Sequence, residues 1–95
     1  MVLDIDIEVE IILTGKVQGV YLRDYLKKRA DELGVRGVAR NEDDGSVSVI
    51  AQGTREALEE FLRRAKRGSV FSKVEDAEVT WYDSVGDPHI EFSIE

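Results

Sequence analysis

The chain has 95 residues, 42% of them hydrophobic and 7% aromatic, enough for one core and too few for two, so a single domain over residues 1–95 is expected. It contains no cysteine, which excludes disulfides, thiol nucleophiles and thiolate metal sites and gives no reason to expect an oxidising compartment. Thirteen basic against 20 acidic side chains leave a net charge of -7, which repels nucleic acid and anionic membranes at long range, so an anionic ligand would need local donors rather than a positive field.

The opening stretch from Met1 to Asp6 sets acids inside an apolar run and lacks a basic flank, so it reads as neither a signal peptide nor a membrane span, and a cytoplasmic location is expected. Leu3, Ile5, Ile7, Val9, Ile11 and Leu13 alternate with acids and predict a half-buried first strand over 3–13. A loop from Gly15 to Tyr21 follows. Leu22, Leu26, Ala30 and Leu33 then recur at helical spacing, with Gly34 as the stop, which predicts a helix from Leu22 to Leu33. Val35 to Asn41 and Ser46 to Gln52 flank Glu42-Asp43-Asp44-Gly45 and read as a hairpin.

Thr54 is a candidate N-cap for a second helix, lined by Ala57, Leu58, Phe61, Leu62 and Ala65 and ending near Arg67-Gly68. After a loop through Ser72, the alternation of Ala77, Val79 and Trp81 predicts a fourth strand. Ile90, Phe92 and Ile94 predict a short last one, after the turn Gly86-Asp87-Pro88. Strand, helix, strand, strand, helix, strand is the order of an α+β, ferredoxin-like sandwich, an antiparallel sheet with both helices on one face. Glu8, Glu10, Ser46 and Ser48 fall at outward positions, and Phe61, Trp81 and Phe92 at inward ones.

In that topology the first and second strands run the same way, so the Gly15 to Tyr21 loop and Asn41 end at one sheet edge. With the third strand between them they lie roughly 10 Å apart. An Arg in the first turn of the helix crosses most of that distance, and Arg23 stands there. Gly15, Lys16, Val17, Gln18, Gly19, Val20 and Tyr21 form a backbone cradle whose N–H groups, with the positive end of the helix, suit a phosphate. Arg23 adds a planar fork that holds two phosphate oxygens at once.

Two glycines four apart, taken alone, describe an ordinary strand-to-helix loop, and Asn41 alone is a turn residue. It is the full run Gly15-Lys16-Val17-Gln18-Gly19-Val20-Tyr21-Leu22-Arg23, with Gly37-Val38-Ala39-Arg40-Asn41 downstream, that carries the phosphate reading. The carboxamide of Asn41 can aim a water at phosphorus, but an amide removes no proton. With no carboxylate or imidazole placed as a base, the proton goes to the substrate's own phosphoryl oxygen. That restricts the substrate to one with a good leaving group, such as an acyl phosphate.

The same residues resemble the signature of the acylphosphatases, over nearly the whole chain and most sharply from Gly15 to Gly53. The resemblance implies a ferredoxin-like fold, hydrolysis of an acyl phosphate to a carboxylate and orthophosphate, and no cofactor or metal. It also implies Arg23 as phosphate ligand, Asn41 as the residue positioning water and Gly15 to Tyr21 as the cradle. A small-molecule substrate, no nucleic-acid or membrane partner and a monomer are expected.

The chain departs from the family pattern at Leu22, where Phe is usual, and at Val38-Ala39, where an aromatic residue precedes Val. It departs again at Gly68-Ser69, where Gly-Pro is usual. Phe92-Ser93-Ile94-Glu95 lacks the usual closing Arg and Tyr, which predicts a weaker last strand. The competing readings are a non-catalytic anion-binding or regulatory module and an RNA-binding domain; the second calls for a basic surface and exposed aromatics on the central strands, whereas Glu8 and Glu10 stand there. His89 reads as a surface residue of the last strand and Asp43-Asp44 as turn chemistry rather than a metal pair. Lys16 and Arg40 either draw substrate in or are exposed scaffold.

Overall fold

A computed structural model describes residues 5–95. Its elements run β1 (Ile7–Lys16), α1 (Leu22–Leu33), β2 (Arg36–Asn41), β3 (Val47–Gly53), α2 (Arg55–Arg67), β4 (Lys73–Tyr82) and β5 (Phe92–Ile94). The sheet order is β4-β1-β3-β2-β5. All pairs are antiparallel except β2 with β5, which is parallel. The sheet is therefore mixed rather than wholly antiparallel. The reason is that the chain crosses the sheet from β4 at one edge to β5 at the other before it pairs.

Alternation decides the faces. Val9, Ile11 and Leu13 of β1 and Val47, Val49 and Ala51 of β3 are fully buried beneath the helices, with Leu22, Leu26, Ala30, Leu58, Phe61 and Ala65 on the facing helix stripes. Phe61 and Phe92 close the core in a tilted aromatic pair, ring centres 5.7 Å apart. Trp81 packs against the edge of this core, with the Arg55 guanidinium 4.6 Å over its ring. Helix α1 has the predicted bounds and closes at Gly34, and Thr54 caps α2 by accepting from the Ala57 N–H at 3.2 Å.

Strand β1 begins at Ile7 rather than Leu3; Ile5 is exposed, and Leu3 lies outside the described residues. At its other end β1 continues through Gly15 and Lys16, which the sequence assigns to the loop. Gly15 has φ +119° at a register shift between Thr14 and Gly15, and a Cβ there would stand 2.3 Å from the Lys73 carbonyl oxygen. Only glycine lets β1 run this close to β4 where β4 bulges at Glu75; β4 starts at Lys73, four residues before the predicted alternation.

The stretch between β4 and β5 passes over the helix-free face and buries Gln52 completely. Its amide donates to Glu8 Oε1 and to the Asp87 carbonyl, both at 2.8 Å, and its Oε1 accepts from the His89 N–H at 2.9 Å. His89 thus belongs to the crossing loop, and Ile90, 95% exposed, stands outside β5. Ser46, expected outward, is buried before β3 begins. Its N–H and hydroxyl both donate to Asp44 Oδ1, at 3.0 and 2.6 Å. These bonds, the hydroxyl's first, hold the Asp44 carboxyl below the usual carboxylate range. Among the described residues no helix is long and apolar enough to cross a membrane.

Candidate active site

The end of β1, the first turn of α1 and the end of β2 meet at one sheet edge. Asn41 pairs with Val47, which pairs in turn with Leu13, so Asn41 stands on the helix-covered face two strands from β1. Between β1 and α1 the backbone alternates in hand. Gly19 has φ +71°, Val20 a negative φ, Tyr21 φ +60°, and Leu22 opens the helix. Alternation of this kind turns successive N–H groups inward into an anion-binding nest. Tyr21 is the unusual member, a bulky residue in a left-handed conformation that disfavours it by roughly 1–2 kcal/mol.

Among the described residues no main-chain N–H from Gln18 to Asp24 donates to another protein group; the Tyr25 N–H, bonded to the Tyr21 carbonyl at 3.1 Å, is the first that does. Beside this run lies a cavity of about 290 Å³ lined by Val17, Gly19, Tyr21, Leu22, Arg23 and Asp24. Of the expected cradle residues, Val17, Gly19 and Tyr21 line it. Val20 is buried beneath it, Lys16 lines an adjoining groove, and Gly15 serves the bulge. Asp24, absent from the sequence-derived set, places a carboxylate on the rim.

The Gln18 side chain turns away from the cavity. Its Nε2 donates to the carbonyls of Glu42 at 2.8 Å and Ser46 at 2.9 Å, so it spends both amide hydrogens on the β2–β3 turn that begins beside Asn41. Asn41 does not line the cavity, and its Oδ1 is buried with no hydrogen-bond partner among the described residues. A buried amide oxygen without a partner costs free energy, so this position suits a ligand or a water that donates to it.

Arg23 is joined to the Asn41 strand by Glu95. Arg23 Nη1 donates to the Glu95 main-chain oxygen at 2.6 Å, and the Glu95 N–H donates to the Ala39 carbonyl at 2.8 Å. The Glu95 carboxylate receives the Arg40 guanidinium, whose pKa it raises by hydrogen bond and charge. The last strand is therefore pinned beyond its final ladder pair, Ala39 with Ile94. Held this way, Arg23 keeps its other N–H groups for a ligand.

The geometry suits a small anion, with the tethered Arg23 at the cavity wall. The acylphosphatase family model matches residues 9–94. The chain belongs to the acylphosphatase family. It is 45% identical over 75 residues to an acylphosphatase of Thermus thermophilus, covering 79% of this chain and 85% of that protein. Against an acylphosphatase of Bacillus subtilis identity is 41% over 88 residues, 93% of this chain and 96% of that one. The crystal structure of acylphosphatase from Bacillus subtilis superposes with a TM-score of 0.89 over 94% of this chain and 98% of that one. The Glu95 link and the Gln18 strap are contacts of this chain.

Proposed function

We propose that this chain hydrolyses a small acyl phosphate to a carboxylate and orthophosphate, with the phosphate in the Gly15 to Tyr21 cradle, Arg23 as its charged ligand and Asn41 directing the attacking water. The observation that carries the reading is one of convergence. An uncommitted run of main-chain donors, a guanidinium tethered through Glu95 and a buried amide oxygen without a partner lie at one sheet edge.

In this reading three phosphoryl oxygens take the N–H groups of the nest and two of the Arg23 donors, which stabilise the charge that spreads over them in the transition state. Asn41 Oδ1 accepts one hydrogen of the water and turns its lone pair toward phosphorus. As the new P–O bond forms, the bond to the acyl oxygen breaks, the carboxylate leaves, and the water's proton passes to a phosphoryl oxygen. A carboxylate is a weak base and needs no acid to depart, which suits a site whose donors are amides and a guanidinium. Lys16 adds positive charge beside the cradle.

The test is loss of benzoyl phosphate in excess EDTA, followed by ultraviolet absorbance, for the wild type and Arg23→Ala. Turnover that falls by about a thousandfold in the variant is expected. A folded wild type that binds phosphate but turns nothing over would instead make the domain an anion-binding module.

A further inference from the structure

We infer that the groove on the β4 side of the cradle is an acyl-group subsite, built for aromatic or bulky apolar acyl chains and formed chiefly by Phe71 and Tyr21. The inference rests on the reading above, that the cradle holds the phosphate and Asn41 the water. In-line displacement then fixes where the rest of the substrate lies, because the leaving group departs opposite the entering water. Along this sheet edge the order of strands is β4, β1, β3, β2. The cradle grows from the end of β1, and Asn41 stands on its β2 side. The acyl oxygen therefore points toward β4.

On that side the structure has a groove of about 280 Å³ lined by Lys16, Gly19, Val20, Tyr21 and Phe71. It shares Gly19 and Tyr21 with the phosphate cavity, so one ligand can span both. The strand register brings its far wall close, since Lys73 pairs with Lys16 and Phe71 lies just before Lys73. Beyond Phe71 the groove opens into a wider basin that includes Tyr25, Gly68 and Val70.

Exposure singles this surface out. Six large hydrophobic side chains are exposed among the described residues, and three of them stand here: Tyr21 at 73%, Val70 at 94% and Phe71 at 66%. Tyr21 is also the residue held in the left-handed conformation, and it lines both cavities. Clustered apolar exposure beside a polar cradle is the pattern of a site that takes an amphiphilic ligand, phosphate at one end and hydrocarbon at the other. Lys16, in the groove wall, would meet the carboxylate charge that develops on the leaving group.

Calorimetric titration with benzylphosphonate and methylphosphonate, neither of which can be hydrolysed, tests the subsite without requiring turnover. The wild type should bind benzylphosphonate on the order of tenfold more tightly, and Phe71→Ala should reduce that preference to less than about threefold. Ile90→Ala, which removes an exposed side chain elsewhere, should leave it unchanged. Equal affinities in the wild type, or a preference that survives Phe71→Ala, would overturn the subsite. Rates with benzoyl and acetyl phosphate separate the two readings. Wild-type turnover of both without a Phe71-dependent preference sinks the subsite alone, whereas a Phe71-dependent preference in a protein that hydrolyses neither supports the subsite and removes the hydrolase.

Discussion

Gln18→Ala cuts the strap between the cradle and the β2–β3 turn. The wild-type amide makes two half-buried hydrogen bonds, to the Glu42 and Ser46 carbonyls at 2.8 and 2.9 Å. At about 0.5–1.5 kcal/mol net for each, their loss destabilises by about 1–3 kcal/mol. For a domain of this size that lowers Tm by roughly 5–20 °C. Gln18→Glu is nearly isosteric but turns two donors into an acceptor-only carboxylate facing two carbonyl oxygens, so near pH 7 it should be at least as harmful as the truncation. Because the turn begins beside Asn41, kcat should fall by about tenfold to a hundredfold in both variants, with a smaller change in inhibition by inorganic phosphate. Urea denaturation at pH 7 and initial rates with benzoyl phosphate check both claims. If Gln18→Glu matches the wild type in stability and rate, the strap has no role in holding the site.

On the proposed role of Asn41, which directs water and does not hold phosphate, Asn41→Ala should lower kcat by at least about a hundredfold while the inhibition constant for inorganic phosphate stays within about threefold. Asp24→Asn should tighten inorganic phosphate binding by about two- to threefold at low salt and much less at high salt, since it removes a like charge from the cavity rim; calorimetry at two ionic strengths reads this. Gly15→Ala should destabilise by more than about 3 kcal/mol in urea denaturation, because its Cβ would meet the Lys73 carbonyl oxygen at 2.3 Å. The folded pKa of Asp44 lies below its unfolded value, so its carboxylate stabilises above about pH 4 and that contribution is lost as pH falls through the folded pKa. The stability difference between wild type and Asp44→Ala should accordingly be larger at pH 6 than at pH 3.

What could be read in the chain followed from local pattern. Both helices, the hairpin and the shared sheet edge of cradle and Asn41 rest on 3.6- and 2-residue periods and on capping residues, signals that lie within a few positions of one another. Contacts made by single residues over long distances were not legible. Gln52 looks like an outward polar position until the crossing loop brings Asp87 and His89 over it. Glu95 shows no role in the local pattern, although its main chain ties Arg23 to β2. The start of β4 was hidden because the bulge at Glu75 breaks the alternation between Lys73 and Asp76. Gln18 carried one usable signal, a long amide between two glycines with two donors to place. Phe71 carried none, being an apolar residue in a loop whose neighbours are known only in three dimensions.

Hydrolysis in ¹⁸O-enriched water tests most directly the claim that a water placed by Asn41 attacks phosphorus. After a single turnover of benzoyl phosphate by the wild type, mass spectrometry should find the label in orthophosphate, with benzoate unlabelled. Label in benzoate would mean attack at the acyl carbon, and would contradict both the role given to Asn41 and the direction assigned to the leaving group.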